Sequence, residues 1–313
     1  MVVRFWGVRG SIPRPLSPQE VQSKIAGVVQ RLKPADLASA ETRERFLSGL
    51  PQWLFGTTGG NTPCVETRLA DDTMIVFDAG SGIQALATAL QKERKKIREF
   101  HIFFTQFHYD HVQGLPFFAP AYDPSVKVRF YSPLPELEQN LKEHMRHPYF
   151  PITMEDKMSN LDFVVLDEHP VRLGGAEITW RELNHPGRAF AYRIKENGRT
   201  FIHATDVELL ESDFEKTPAN TSFFQGTDVL VMDSQYTLGE AIEKYNWGHS
   251  SFSMSVDFAS AWNVKNLYLF HHEPLYNDKK LHKNLQSARW YASRLGNTTL
   301  NIDLSREGEE VHV

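Results

Sequence analysis

The stretch Thr105-Gln106-Phe107-His108-Tyr109-Asp110-His111 places three side chains able to ligate a metal, His108, Asp110 and His111, within four residues. It follows the apolar run Ile102-Phe103-Phe104, which reads as a buried strand, and precedes Gly114-Leu115-Pro116. Donors crowded into a turn directly after a strand can point at one or two neighbouring cations. The pattern of a donor after an apolar run recurs at His185 in Leu183-Asn184-His185-Pro186-Gly187, at Asp206 in His203-Ala204-Thr205-Asp206, and at His271 in Leu269-Phe270-His271-His272-Glu273. Singly, each admits a plainer reading. A histidine after a strand can be a surface or packing residue. Asp206 could cap a following helix, and His272 could stand in for His271. Together, four strand ends of this kind point to a metal centre. Cys64 is the one cysteine, so neither an intrachain disulfide nor a thiolate cage can form. A site built from imidazole and carboxylate suits zinc, manganese or iron. Cys64 itself, between Pro63 and Val65, is expected to be a buried packing residue.

The elements that must position these donors can be read from periodicity. Strands are expected at Val2–Gly7, Cys64–Arg68, Thr73–Phe77, His101–Thr105, Val126–Tyr131, Phe163–Leu166, Ile178–Leu183, Ala189–Ile194, Thr200–His203, Val229–Met232 and Asn266–Phe270. Helices are expected at Ile83–Lys95, Leu134–Met145, Ser250–Ala261 and Lys280–Leu295. Strands and helices mixed in both halves argue for an α/β fold. No linker-like or low-complexity segment interrupts the 313 residues, which predicts a single domain, 1–313. Between about Ser17 and Trp53 the pattern changes: Val21, Ile25, Val28, Val29 and Leu32 recur at helical spacing, and a second helix is expected over Glu41–Leu50. Residues 14–58 therefore read as a helical cap inserted into the domain, with a plain structural flank as the alternative.

Composition narrows the function. A net charge of −5 offers no basic face for non-specific nucleic-acid binding. The run Lys92, Arg94, Lys95, Lys96 reads as a solvated surface at a helix end. The N-terminus lacks the layout of a signal peptide and no apolar run is long enough to span a bilayer, so a cytoplasmic location without membrane partners is expected.

The order and context of the donors resemble the metallo-β-lactamase superfamily, whose hallmark is His-x-His-x-Asp-His followed by distant His, Asp and His. Within it, the chain is most similar to the branch holding ribonuclease Z and the cyclic-phosphate and cyclic-nucleotide phosphodiesterases. Phe5-Trp6-Gly7-Val8-Arg9-Gly10-Ser11-Ile12-Pro13, Gly59-Gly60-Asn61-Thr62-Pro63 and Gly114-Leu115-Pro116-Phe117-Phe118 are similar to bacterial members of that branch. The resemblance extends from Val2 to about Asp278 and is weakest over 14–58. It implies a four-layer αβ/βα sandwich and two divalent ions, zinc first, with manganese or iron as alternatives. One ion would be held by position 106, His108 and His185, the other by Asp110, His111 and His271, with Asp206 and a hydroxide bridging them. Gly248-His249-Ser250-Ser251 resembles the Gly-His-Ser-Thr of ribonuclease Z relatives, and Asp233 sits where they hold a partner acid. Asp110, His249 and Asp233 are thus the candidate catalytic residues, with His249 as the proton donor.

Position 106 departs from the hallmark: Gln106 replaces the first histidine. A glutamine carbonyl is a weaker donor to these metals than an imidazole. The outcomes this opens are a two-ion enzyme with one weak position, a one-ion enzyme, or a catalytically impaired sensor or binding protein. The leading expectation is a hydrolase acting on a small cyclic nucleotide or cyclic phosphate. Hydrolysis of a thioester, lactone or β-lactam is the second. Phe107, Tyr109, Phe117, Phe118, Tyr149 and Phe150 could stack on a base, core packing being the alternative. Relatives of this kind often form dimers, so a homodimer is an assembly the resemblance allows by analogy alone; the sequence itself does not name the oligomeric state.

Overall fold

A computed structural model describes residues 1–93, 96–296 and 299–313. The strands, numbered along the chain, form two seven-stranded sheets. The first contains β1 (Val2–Gly7), β2 (Cys64–Arg68), β3 (Met74–Phe77), β4 (Glu99–Phe103), β5 (Lys127–Ser132) and β6 (Leu161–Val165), closed at one edge by the last strand, β14 (Glu310–His312). Its order is β14-β1-β2-β3-β4-β5-β6. The second contains β7 (Val171–Leu173), β8 (Ala176–Leu183), β9 (Ala189–Glu196), β10 (Arg199–Ala204), β11 (Val229–Asp233), β12 (Asn266–Phe270) and β13 (Asn301–Leu304), in the order β13-β12-β11-β10-β9-β8-β7.

The pleat explains the layering. Successive strand side chains face opposite ways, and in β3 Ile75 and Phe77 join a core between the sheets while Val76 joins another beneath the helices. In β11, Val229 and Val231 face the inter-sheet core, and Leu230 and Met232 face outward. Both faces of each central strand are therefore buried, which is why these segments read as unbroken apolar runs. One outer face is covered by helices at Gly82–Leu90 and Leu137–His144, the other by helices at Phe252–Ala261 and Asp278–Arg294. The result is the expected four-layer α/β sandwich.

The expected helix over Ile83–Lys95 runs from Gly82 to Leu90; Arg94 and Lys95 lie outside the described residues. Strands β7, β13 and β14 were not expected from the sequence. All are short, of three or four residues, too few to establish a period. Within 14–58, helices span Pro18–Val29, Ala40–Ser48 and Gln52–Phe55. The apolar stripe of the first does not pack inward: Val21, Ile25 and Val29 are 42%, 60% and 62% exposed. The segment is anchored by the buried Leu54 and by polar contacts, with the Lys24 ammonium 2.7 Å from Asp278 and the Arg14 Nε donating to the Pro274 carbonyl at 2.7 Å. Cys64 is buried and unpaired, as expected. Among the described residues no helix is long and apolar enough to cross a membrane.

Candidate metal centre

The centre lies where strands end. Strands β3–β4–β5–β6 and β10–β11–β12–β13 run parallel, and in such sheets the carboxyl ends of the strands form the natural crevice. After β4 the chain reaches a single helical turn at Tyr109–Val112, which buries Asp110 and His111. Asp206 follows β10 with φ 54° and His271 follows β12 with φ 58°. Left-handed backbone costs a non-glycine residue about 1–3 kcal/mol and persists where the surroundings enforce it. Here it turns both side chains toward Asp110 and His111. The fit is tight: a Cβ on Gly10 would lie 2.5 Å from the His271 ring.

His271 Nε2 is 3.1 Å from Asp110 Oδ2 and 3.4 Å from Asp206 Oδ2. His111 Nε2 is 3.3 Å from Asp206 Oδ1 and 3.4 Å from Asp110 Oδ2. The donor atoms of these four buried residues all lie within 4.8 Å of one another. The structure also places the residues of the alternative readings. Asp206 caps no helix, since the next helical turn, Glu211–Phe214, begins after Leu210. His272 points away, its Nε2 3.0 Å from the Ser305 carbonyl, and burial beside Arg9 lowers its pKa to about 3. His203 packs, stacked on Phe77 and edge-on to Phe270.

Each of these imidazoles is oriented from behind. Asp78 Oδ2 lies 2.9 Å from His111 Nδ1 and is itself fixed by the Thr105 hydroxyl at 2.7 Å. Gln235 Oε1 lies 2.9 Å from His271 Nδ1, and Gln235 Nε2 donates to Glu273 at 3.0 Å. The Gly248 carbonyl lies 2.8 Å from His185 Nδ1, in a loop held by Glu208, which accepts from the Asn246 and Gly248 amides at 2.9 Å. Carbonyl and carboxylate oxygens require Nδ1–H, so each Nε2 lone pair is left facing the centre. The Ser11 amide also donates to Asp110 Oδ2 at 2.8 Å. Sequence reasoning missed Asp78, Gln235 and Glu208. Only Asp78 carried a signal, as the first residue of the turn Asp78-Ala79-Gly80-Ser81-Gly82 after an apolar strand.

The second group is arranged differently. His185 Nε2 is 3.3 Å from His108 Nδ1 and 4.0 Å from Asp206 Oδ2. Burial lowers the pKa of both histidines, which favours the neutral, ligating form. Gln106 does not turn its carbonyl to them. Its side-chain amide donates to Asp206 Oδ2. An ionised carboxylate only accepts, so the amide group must be the one facing it. Gln106 Oε1 is left buried without a hydrogen-bond partner, as is His111 Nε2.

The electrostatics favour a cation. Burial opposes ionisation of Asp110 and Asp206, yet His111 and His271 outweigh it and hold both carboxyls below the usual carboxylate range. Burial likewise opposes protonation of His111, but Asp206, Asp110 and Asp78 push its pKa well up. Carboxylates that can be neutralised only by charging a buried imidazole, around a nitrogen with no partner, form an arrangement that a divalent ion satisfies. Beside it, His249 Nδ1 is 2.6 Å from Asp233 Oδ2, and its ring stacks on His271 at 4.9 Å. Burial opposes its protonation too, but Asp233 prevails and raises its pKa to about 9.

The two layered sheets with a donor cluster at the strand ends define a fold shared with solved proteins. A metallo-β-lactamase fold protein, YhfI of Bacillus subtilis, superposes with a TM-score of 0.65 at 14% identity, covering 99% of this chain and 98% of that one. Human tRNase Z, short form, superposes with a TM-score of 0.61 at 17% identity, covering 100% and 99%. By sequence, the ribonuclease Z of Picrophilus torridus is 22% identical over 306 residues, 82% of this chain and 94% of that protein. The ribonuclease Z of Streptococcus mutans is 25% identical, covering 67% and 83%. The family model for the beta-lactamase superfamily domain matches residues 73–272, well over half of the sequence, and the chain belongs to that family. The expected resemblance is thereby borne out, in the ribonuclease Z-like branch.

Proposed function

We propose that this protein is a metal-dependent hydrolase that cleaves a phosphodiester in a small cyclic nucleotide or cyclic phosphate. The observation that carries the reading is the convergence of Asp110, His111, Asp206 and His271 within 4.8 Å, with a paired His249–Asp233 alongside. The ribonuclease Z relatives support phosphodiester chemistry, and the acidic balance of −5 favours a small substrate over a long polyanion.

Asp110, His111, Asp206 and His271 would hold one divalent ion, zinc by its donor set, and His108 and His185 would hold a second only weakly. Such an ion supplies Lewis acidity toward a phosphoryl oxygen and lowers the pKa of bound water toward about 7. The chain's own part is to position and to move a proton. Asp206 and Asp110 carry the negative charge that fixes the cation. His249, held protonated by Asp233, donates its Nε2 proton to the oxygen leaving phosphorus as water oxygen is added. General acid catalysis of this kind contributes about 10²–10⁴-fold. His249→Ala should therefore cost a factor in that range on an alkyl leaving group and far less on p-nitrophenolate, which leaves without a proton.

Metal analysis of the purified protein with turnover of bis-p-nitrophenyl phosphate, 2′,3′-cyclic nucleotides and a lactone tests the reading. Phosphodiester turnover that tracks metal content supports it. Turnover of the lactone alone would move the assignment to carboxyl-ester hydrolysis. A second reading, a catalytically impaired binding protein, rests on the Gln106 amide occupying Asp206 Oδ2. Full metal loading with no turnover on any of these esters would favour it.

A further inference from the structure

The turn that carries the ligands has a second side. Phe107, Tyr109, Val112 and Gln113, interspersed with and following Gln106, His108, Asp110 and His111, line a cavity of about 580 Å³ together with residues of the 140–150 segment. Three of its aromatic rings are left largely in water: Tyr109, Phe117 and Tyr149 are 79%, 59% and 74% exposed. Phe118, by contrast, is fully buried in the core. The exposed rings are not scattered. Phe117 meets Phe150 edge-on at 5.8 Å, and the Arg146 guanidinium lies 5.8 Å from the Tyr149 ring. Single exposed apolar residues need no explanation, but a concave group of rings beside a candidate reaction centre does.

We infer that this cavity is a nucleobase subsite, which stacks the base of a nucleotide whose phosphate reaches the metal centre over Tyr109. The inference rests on the phosphodiester reading and names its substrate class more narrowly. Several features select a base over a plain aryl or alkyl group. Planar rings and a guanidinium offer stacking faces to any heterocycle. Asn140 and Glu143, in the same wall, supply a donor–acceptor amide and an acceptor carboxylate able to read a base edge. The volume lies within the range of about 300–1,000 Å³ typical of small-molecule sites.

Nucleosides lack phosphate, so their binding reports on this subsite alone. The full-length protein as purified is titrated by calorimetry with adenosine and guanosine, and in parallel with ribose 5-phosphate. Saturable binding of at least one nucleoside is expected, with ribose 5-phosphate much weaker. Phe117→Ala and Tyr149→Ala should each weaken nucleoside binding roughly tenfold or more, since loss of a base-stacking ring costs about that much. Tyr149→Phe keeps the ring and should retain affinity, which separates stacking from damage to the fold. Nucleosides that do not bind, or that bind both alanine variants as tightly as the native chain, overturn the subsite. Nucleoside binding without phosphoester turnover overturns the proposed hydrolase instead and leaves the subsite standing.

Discussion

The two halves of the metal centre are built from the same kinds of residue and are finished to different standards. Around Asp110, His111 and His271, each imidazole has a dedicated partner behind it, Asp78 for one and Gln235 for the other, and Asp110 is held by the Ser11 amide. Around His108 and His185, His185 is braced by the Gly248 carbonyl, but the first expected ligand is Gln106, and its amide donates to Asp206 instead of offering a carbonyl. An N–H placed on Asp206 Oδ2 competes with a cation for the same lone pairs. It also satisfies, without a charge, an oxygen that would otherwise need one. On the proposed reading, Gln106 would lower the demand for an ion on one side of a shared carboxylate, while the other side keeps Asp110, His111 and His271 around it.

That difference can be broken most forcefully by removing one ligand from each half. His271→Ala should lower metal affinity more than a hundredfold, because even partners one step behind a ligand are worth about 10–100-fold. His108→Ala should lower it by less than tenfold. Equal losses in a competitive chelator titration would show that the halves are not distinct. Gln106→His sharpens the contrast from the other direction: it removes the amide proton from Asp206 and supplies an imidazole. Bound metal should rise toward two ions per chain, and phosphodiester turnover should rise with it. Unchanged stoichiometry by mass spectrometry would sink the idea that Gln106 weakens this position. Next in size is Asp78→Asn, which keeps the shape but no longer fixes the His111 tautomer. It should cost about 10–100-fold in metal affinity, while leaving the His185 side unaffected.

How much of this was legible beforehand follows from what periodicity and spacing encode. Residues after apolar strands identified every side chain of the cluster, and the parallel strands that bring them together read as continuous apolar runs. The partners behind them were not legible, because Gln235 and Glu208 act through contacts set by tertiary packing, with no local pattern to mark them. The spacing of Val21, Ile25, Val28, Val29 and Leu32 announced a helix, and one runs from Pro18 to Val29; that Val21, Ile25 and Val29 stay exposed was not legible, since helical spacing says that a face exists, not that anything covers it. The direction of the Gln106 amide was also beyond the sequence. The substitution was visible, but its consequence depends on Asp206, a hundred residues away.

The smallest expected effect concerns what braces the better-built half. From Ser11, whose amide holds Asp110, the chain runs to Arg14, which donates to the Pro274 carbonyl just past His271 and pairs with Glu20 at 2.8 Å. The hydrogen bonds from Arg14 lower the Glu20 pKa from an ordinary 4.5 to about 2. A carboxyl whose folded pKa is depressed adds stability that is fully present above its unfolded value and fades as the pH falls from about 4.5 toward 2. Both side chains are partly exposed, so the pair is worth only about 0.5 kcal/mol after solvent screening. Glu20→Gln should accordingly lower Tm by roughly 1 °C at neutral pH, and the gap from the native chain should narrow as the pH drops below about 4.5. A gap that stays constant across that range would mean the Arg14–Glu20 pair contributes nothing through charge. The Ser11–Arg14 segment would then owe its position to its backbone contacts with Asp110 and Pro274 alone.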